Sequence, residues 1–160
     1  MNPRTTLALR TAAVILCLAV ALPSAFAQQN QHGTAADAKA MLQKAITEVK
    51  TNKDQAIEMF NAGTGGFLDR DIFPFCFNLS DGKVLATQLK QLMGRDVRTI
   101  VDGSGKPFGK EFYAAAQKPE GEITGVGYMA QRPGADQTPV EKVSFITRVG
   151  DLGCGVGYYK

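Results

Sequence analysis

One histidine, His32, occurs in 160 residues, and that scarcity removes much chemistry at once. A nucleophile activated by histidine, a mixed His/Cys zinc site and the haem-attachment motif Cys-x-x-Cys-His all need side chains the chain does not supply. His32 itself lies in the polar stretch from Gln28 to Thr34 and reads as a solvated tail residue. Asp69 and Asp71 are the nearest thing to a carboxylate pair, but an i, i+2 pair beside a turn is ordinary surface chemistry. Gly103-Ser104-Gly105-Lys106 misses the Walker spacing, with Ile100 where glycine is required and Pro107 where Ser or Thr is required. No enzyme is expected, and with it no catalytic residue, no metal and no cofactor.

Charge of one sign is scarce too. The 18 Lys and Arg stand against 15 Asp and Glu, a net charge of +3, and they do not cluster as a nucleic-acid surface requires. Two of the basic residues, Arg4 and Arg10, form the n-region of an export signal, Ala12 to Leu22 its apolar h-region, and Ala25-Phe26-Ala27 its A-x-A cleavage site. The h-region is too short to span a membrane. Cys17 follows the bulky Leu16, which argues against a lipid-anchored cysteine. The expected mature chain starts at Gln28, carries a net charge of +1 and has no membrane span, so the protein is expected in the periplasm or secreted.

Of the three cysteines, two survive processing: Cys76 and Cys154. In an oxidising compartment an even pair favours a disulfide over free thiols. Bonded, they would make the first and last strands near neighbours and contribute roughly 4 kcal/mol in the chain-entropy model.

What the sequence does contain is pattern. Ala38, Leu42, Ala45/Ile46 and Val49 recur at helical steps from Ala35 onward. Asn52 with Gln55 reads as a fresh N-cap for a second short helix burying Ala56, Ile57 and Phe60, ended by the glycines around Gly63. Phe73, Phe75 and Phe77 alternate with Pro74 and Cys76, a half-buried strand that turns back at Asp81-Gly82 into Lys83 to Ala86. Thr87 to Gly94 suggests a helical turn, and Pro107 to Gln117 a helix with Phe108 and Phe112 on one side. Gly121 to Gln131, Val140 to Val149 and Leu152 to Tyr159 read as strands. In the second of these Val143, Phe145, Thr147 and Val149 share one face and Lys142, Ser144, Ile146 and Arg148 the other. The order predicts an α+β domain over residues 35–160, preceded by a signal peptide at 1–27 and a flexible N-terminus at 28–34. There is no internal repeat and no second domain.

These motifs resemble a known family. Asn52-Lys53-x-x-Ala56-Ile57, Asp69 to Cys76, Asp81-Gly82-Lys83-Val84-Leu85-Ala86, Leu92-Met93-Gly94-Arg95-Asp96-Val97 and Gly105 to Gly109, then Gly127-Tyr128, Glu141 to Phe145 and Gly155 to Lys160, are together similar to the type 2 single Cache domain, the PAS-like extracytoplasmic sensor module. The resemblance covers nearly all of the chain from Ala35, in the freestanding secreted form. It implies a five-stranded antiparallel sheet in the order 2-1-5-4-3, a long N-terminal helix on one face and a small-molecule site on the other. The implied ligand is a short carboxylate or similar metabolite, and the implied partner a membrane sensor or chemoreceptor. Where the family commonly has Ala-His-Pro, this chain has Ala86-Thr87-Gln88, which replaces a ligand-binding histidine by an uncharged hydroxyl. A carboxylate needs a cation or several N–H donors, so Lys142 and Arg70 are the candidate cations and Tyr128 and Thr87 the candidate hydroxyls. Against this stands the alternative that the domain binds nothing small and docks on an envelope sensor or complex.

Overall fold

The computed structural model describes residues 31–133 and 138–160. The signal peptide expected at 1–27, with its expected cleavage site after Ala27, lies outside the described residues.

Helix α1 (Ala35–Thr51) starts at a reciprocal cap that the sequence reading overlooked: Thr34 Oγ1 accepts from Asp37 N at 3.2 Å while Asp37 Oδ2 accepts from Thr34 N at 2.9 Å. Its buried stripe is Ala38, Met41, Leu42, Ala45 and Val49. Asn52 adopts an extended conformation, which ends α1. Its N–H still donates to Glu48 O, and its side chain accepts from Gln55 N to open α2 (Lys53–Ala62). Ala56 and Phe60 of α2 are buried, whereas Ile57, expected inward, is half-buried. Gly63, at φ +68°, supplies the left-handed cap that releases the chain.

The strands β1 (Pro74–Asn78), β2 (Val84–Ala86), β3 (Thr124–Ala130), β4 (Val140–Val149) and β5 (Leu152–Tyr159) form one antiparallel sheet in the order β2-β1-β5-β4-β3. Pro74 opens its strand, where a missing N–H is tolerated. Cys76 and Cys154 are direct partners in the β1–β5 register and are disulfide-bonded, closing a separation of 78 residues. Alternation divides the sheet cleanly. Cys76, Cys154, Val156 and Val149 pack under α1 and α2, while Phe75, Phe77, Val126, Tyr128 and Ile146 face helix α3 (Phe108–Ala116). With both faces covered, β5 is almost wholly buried.

One sequence expectation holds in shortened form and one needs correction. The helical turn expected within Thr87 to Gly94 is present as the 3₁₀ turn Lys90–Leu92, and it is shorter than the stretch read because Thr87 Oγ1 accepts from Leu89 N at 3.1 Å just before it, while Lys90 Nζ donates to Asn61 O at the end of α2 at 2.7 Å. His32 is half exposed, but it is not simply solvated, since its Nδ1 lies 2.9 Å from Asp71 Oδ2 and the neighbouring Gly33 N donates to Asp71 Oδ1 at 2.7 Å. The tail is fastened to the turn before β1.

Candidate functional site

A cavity of about 500 Å³ lies between the α3 face of the sheet, the segment around Thr87–Gly103, and Met129–Pro133 with Pro139. β5 carries glycine at Gly153, Gly155 and Gly157 on this face; rings and methyl groups pack over the first two, and Gly157 borders the cavity. A methyl group at Gly157 would stand 2.5 Å from Ser144 Oγ and 2.6 Å from Lys142 Cε, so both side chains lie directly over bare backbone. Two aromatic pairs build the walls: Phe75 stacks on Phe112 at 5.2 Å between centroids, and Phe108 on Tyr128 at 4.1 Å.

Lys142 projects into this apolar space from β4 and is 5% exposed. Among the described residues no hydrogen-bond acceptor or carboxylate pairs with its ammonium. It sits instead 4.2 Å from the centre of the Tyr159 ring and 5.2 Å from that of Phe73. Burial pulls its pKa down to about 8, a shift that Asp71 partly opposes by its charge. Asp71 is the buried turn residue that holds His32 and Gly33, and its Oδ2 is 3.8 Å from Arg132 Nη1.

Tyr128 and Thr87 also line the cavity. The Tyr128 hydroxyl is 3.0 Å from Ser144 Oγ, and burial raises its pKa despite that bond. Asp102 lies on the wall with both oxygens occupied. Oδ2 accepts from Met129 N at 2.9 Å, and Oδ1 from Ser104 N, Ser104 Oγ and Lys106 N at 2.9, 2.6 and 3.0 Å. These donors, led by the Met129 amide, hold its pKa at about 2.

Arg70 is the candidate that the structure keeps apart. It is not on the cavity wall. Its φ of +55° turns it toward α1, where Nη2 donates to Asp37 Oδ2 at 2.9 Å and Asp69 Oδ2 at 2.7 Å, and Nη1 to His32 O at 3.0 Å. Its adjacency to β1 in sequence does not become adjacency to the cavity.

The sequence reading named neither Asp71, Tyr159 nor Arg132 at this site. Tyr159 was findable, because it shares the β5 face of Gly155 and Gly157. Among the described residues there is no cluster of three or more His, Cys, Asp or Glu side chains able to hold a metal ion, and no helix long and apolar enough to cross a membrane.

No protein-family model and no curated protein matches this sequence. Solved structures do. A methyl-accepting chemotaxis protein from Vibrio parahaemolyticus RIMD 2210633 superposes with a TM-score of 0.60 at 20% identity, covering 78% of this chain and 86% of that one. The periplasmic sensor domain of a chemotaxis protein gives 0.56 at 21% identity over 76% and 86%. A Cache chemosensory domain, solved to explain carboxylic acid recognition, gives 0.55 at 20% identity over 76% and 84%. At these identities what is shared is the architecture: this chain has the α+β fold of a Cache-like sensor domain.

Proposed function

We propose that the protein is an extracytoplasmic, non-enzymatic sensor domain whose cavity takes a small organic acid, the acid's carboxylate pairing with Lys142. The observation that carries this reading is the Lys142 ammonium, buried and without an anionic partner among the described residues, at the edge of a cavity of about 500 Å³. A buried unpaired cation is costly, and an incoming carboxylate offsets that cost more cheaply than any other ligand group. Thr87 supplies a hydroxyl to the cavity wall, and Tyr128 shapes its aromatic part. The Cache-like fold supports a sensory role, and one structural neighbour of that fold is described by its carboxylic acid recognition. The export signal read at residues 1–27 and the Cys76–Cys154 disulfide support a periplasmic or secreted location. A membrane sensor or chemoreceptor is the partner that such a domain serves.

Thermal unfolding of the purified protein against short carboxylates, amino acids and small amides tests the proposal. A ligand at about a hundred times its dissociation constant adds roughly 2.7 kcal/mol, a clear rise in midpoint. Lys142→Met should abolish it. If no compound shifts the midpoint, the domain is instead a docking module for an envelope sensor or complex.

A further inference from the structure

Resting on that reading, we infer that the cavity selects an acid with a single carboxylate and a sizeable apolar body, such as a medium-chain or aryl-substituted acid, over acetate, dicarboxylates and amino acids.

Few of the polar groups that reach the cavity have bonding capacity to spare. Lys142 is one cation awaiting an anion. Arg132 also lines the space, but its Nη2 already donates to Lys160 O at 3.0 Å, its Nη1 lies 3.8 Å from Asp71, and its guanidinium is 5.1 Å from the Tyr159 ring centre. A dicarboxylate would therefore bring a second charge with no equivalent partner, and leaving it desolvated is expensive. An amino acid fails for the opposite reason. Its ammonium needs an acceptor, and the wall carboxylate, Asp102, already takes four hydrogen bonds, three on Oδ1 and one on Oδ2.

The hydroxyls are similarly committed. Tyr128 bonds Ser144, and Tyr159 donates to Gln131 O at 2.7 Å. Thr87 Oγ1 accepts from Leu89 N, which leaves its proton as a donor on the cavity wall. Apart from Gln91 and Gln131, the rest of the wall is mainly hydrocarbon and aromatic: Phe75, Phe108, Phe112, Leu92, Val97 and Ile100. An acetate-sized ligand would touch Lys142 and leave this wall unused. Each methylene brought against it tightens binding by about fourfold, so hexanoate, with four more than acetate, gains about two orders of magnitude.

Isothermal titration of the whole protein with acetate, hexanoate, phenylacetate, adipate and phenylalanine decides the matter. Hexanoate or phenylacetate should bind about a hundredfold tighter than acetate, with adipate and phenylalanine at least tenfold weaker than hexanoate. Phe108→Ala should erode the hexanoate advantage while acetate affinity stays put. Acetate, adipate or phenylalanine binding as tightly as hexanoate, in a manner lost in Lys142→Met, would overturn this selectivity and leave the acid-binding function standing. If none of the five binds the wild-type protein, the acid-binding function falls and the selectivity falls with it.

Discussion

Lys142 and Tyr159 are directly opposed in the β4–β5 register, and the ammonium of the first lies 4.2 Å from the ring centre of the second. The aromatic face does part of what a counterion would do, at a fraction of the strength. The site is thus charged before any ligand arrives, and the fold bears the cost.

That cost has a pH signature. The pKa of Lys142 is about 8 in the folded protein, against an ordinary 10.5. Below about pH 8 both folded and unfolded chains hold the proton and the penalty is constant. Between about 8 and 10.5 the unfolded chain binds a proton that the folded chain has released, so stability rises with pH. The shift corresponds to about 3 kcal/mol. Lys142→Met should raise stability at pH 7 by up to that amount and flatten the alkaline rise, as read by urea unfolding from pH 7 to 10.5. A variant less stable than wild type at pH 7 would contradict this.

The glycines of β5 predict a graded series. Alanine at Gly153 meets the Phe77 ring, with Cε2 at 2.5 Å, and Ala116 Cβ at 2.7 Å, both packed and with nowhere to go. Overpacking there should cost about 1–3 kcal/mol. At Gly157 the obstacles are Ser144 Oγ and the flexible Lys142 stem. Gly157→Ala should therefore cost less stability but displace Lys142 and weaken acid binding at least tenfold. Equal stability losses at the two positions would show that the close approaches are not what sets tolerance.

The disulfide lies under α1, on the side of the sheet away from the cavity. Replacing Cys76 and Cys154 by serine should lower stability by about 4 kcal/mol, from a closed loop of 78 residues. Acid affinity measured well below the unfolding midpoint should change less than threefold. A large loss of affinity in folded protein would mean that the two faces of the sheet are mechanically coupled.

Asp102 ties the Asp102–Lys106 turn to β3 through Met129 N. Its pKa of about 2, below the ordinary 3.8, means that this tie contributes stability above about pH 4 and loses it as pH falls toward 2. In Asp102→Asn the amide of Met129 should exchange faster with solvent at pH 7, and the acid-dependent loosening of this wall should disappear. An unchanged exchange rate would assign the tie to the surrounding backbone instead.

Much of this architecture is legible before any coordinates. The alternation of Val143, Phe145, Thr147 and Val149 against Lys142, Ser144 and Ile146 separates the two faces of β4, and the even pair Cys76 and Cys154 anticipates that β1 and β5 adjoin. Strand order was legible only through the family resemblance. What alternation does not reveal is which face of β4 holds the cavity, since both are buried and glycine gives β5 no pattern of its own. Charge placement was the least legible. Arg70 and Asp71 are neighbours in sequence, yet a single left-handed residue turns the arginine toward α1 while the aspartate stands behind Tyr159 and Lys142. His32 gave no local sign of docking, because its partner lies 39 residues away.

Because Lys142 and Ser144 lie over the bare backbone of Gly157, the site is asymmetrically vulnerable to drift. Trimming a residue on the far wall enlarges the cavity and leaves the anchor standing. Adding one carbon at Gly157 removes the ledge on which the anchor rests. The cation can thus be lost from the cavity by a change at position 157 that leaves Lys142 itself in place.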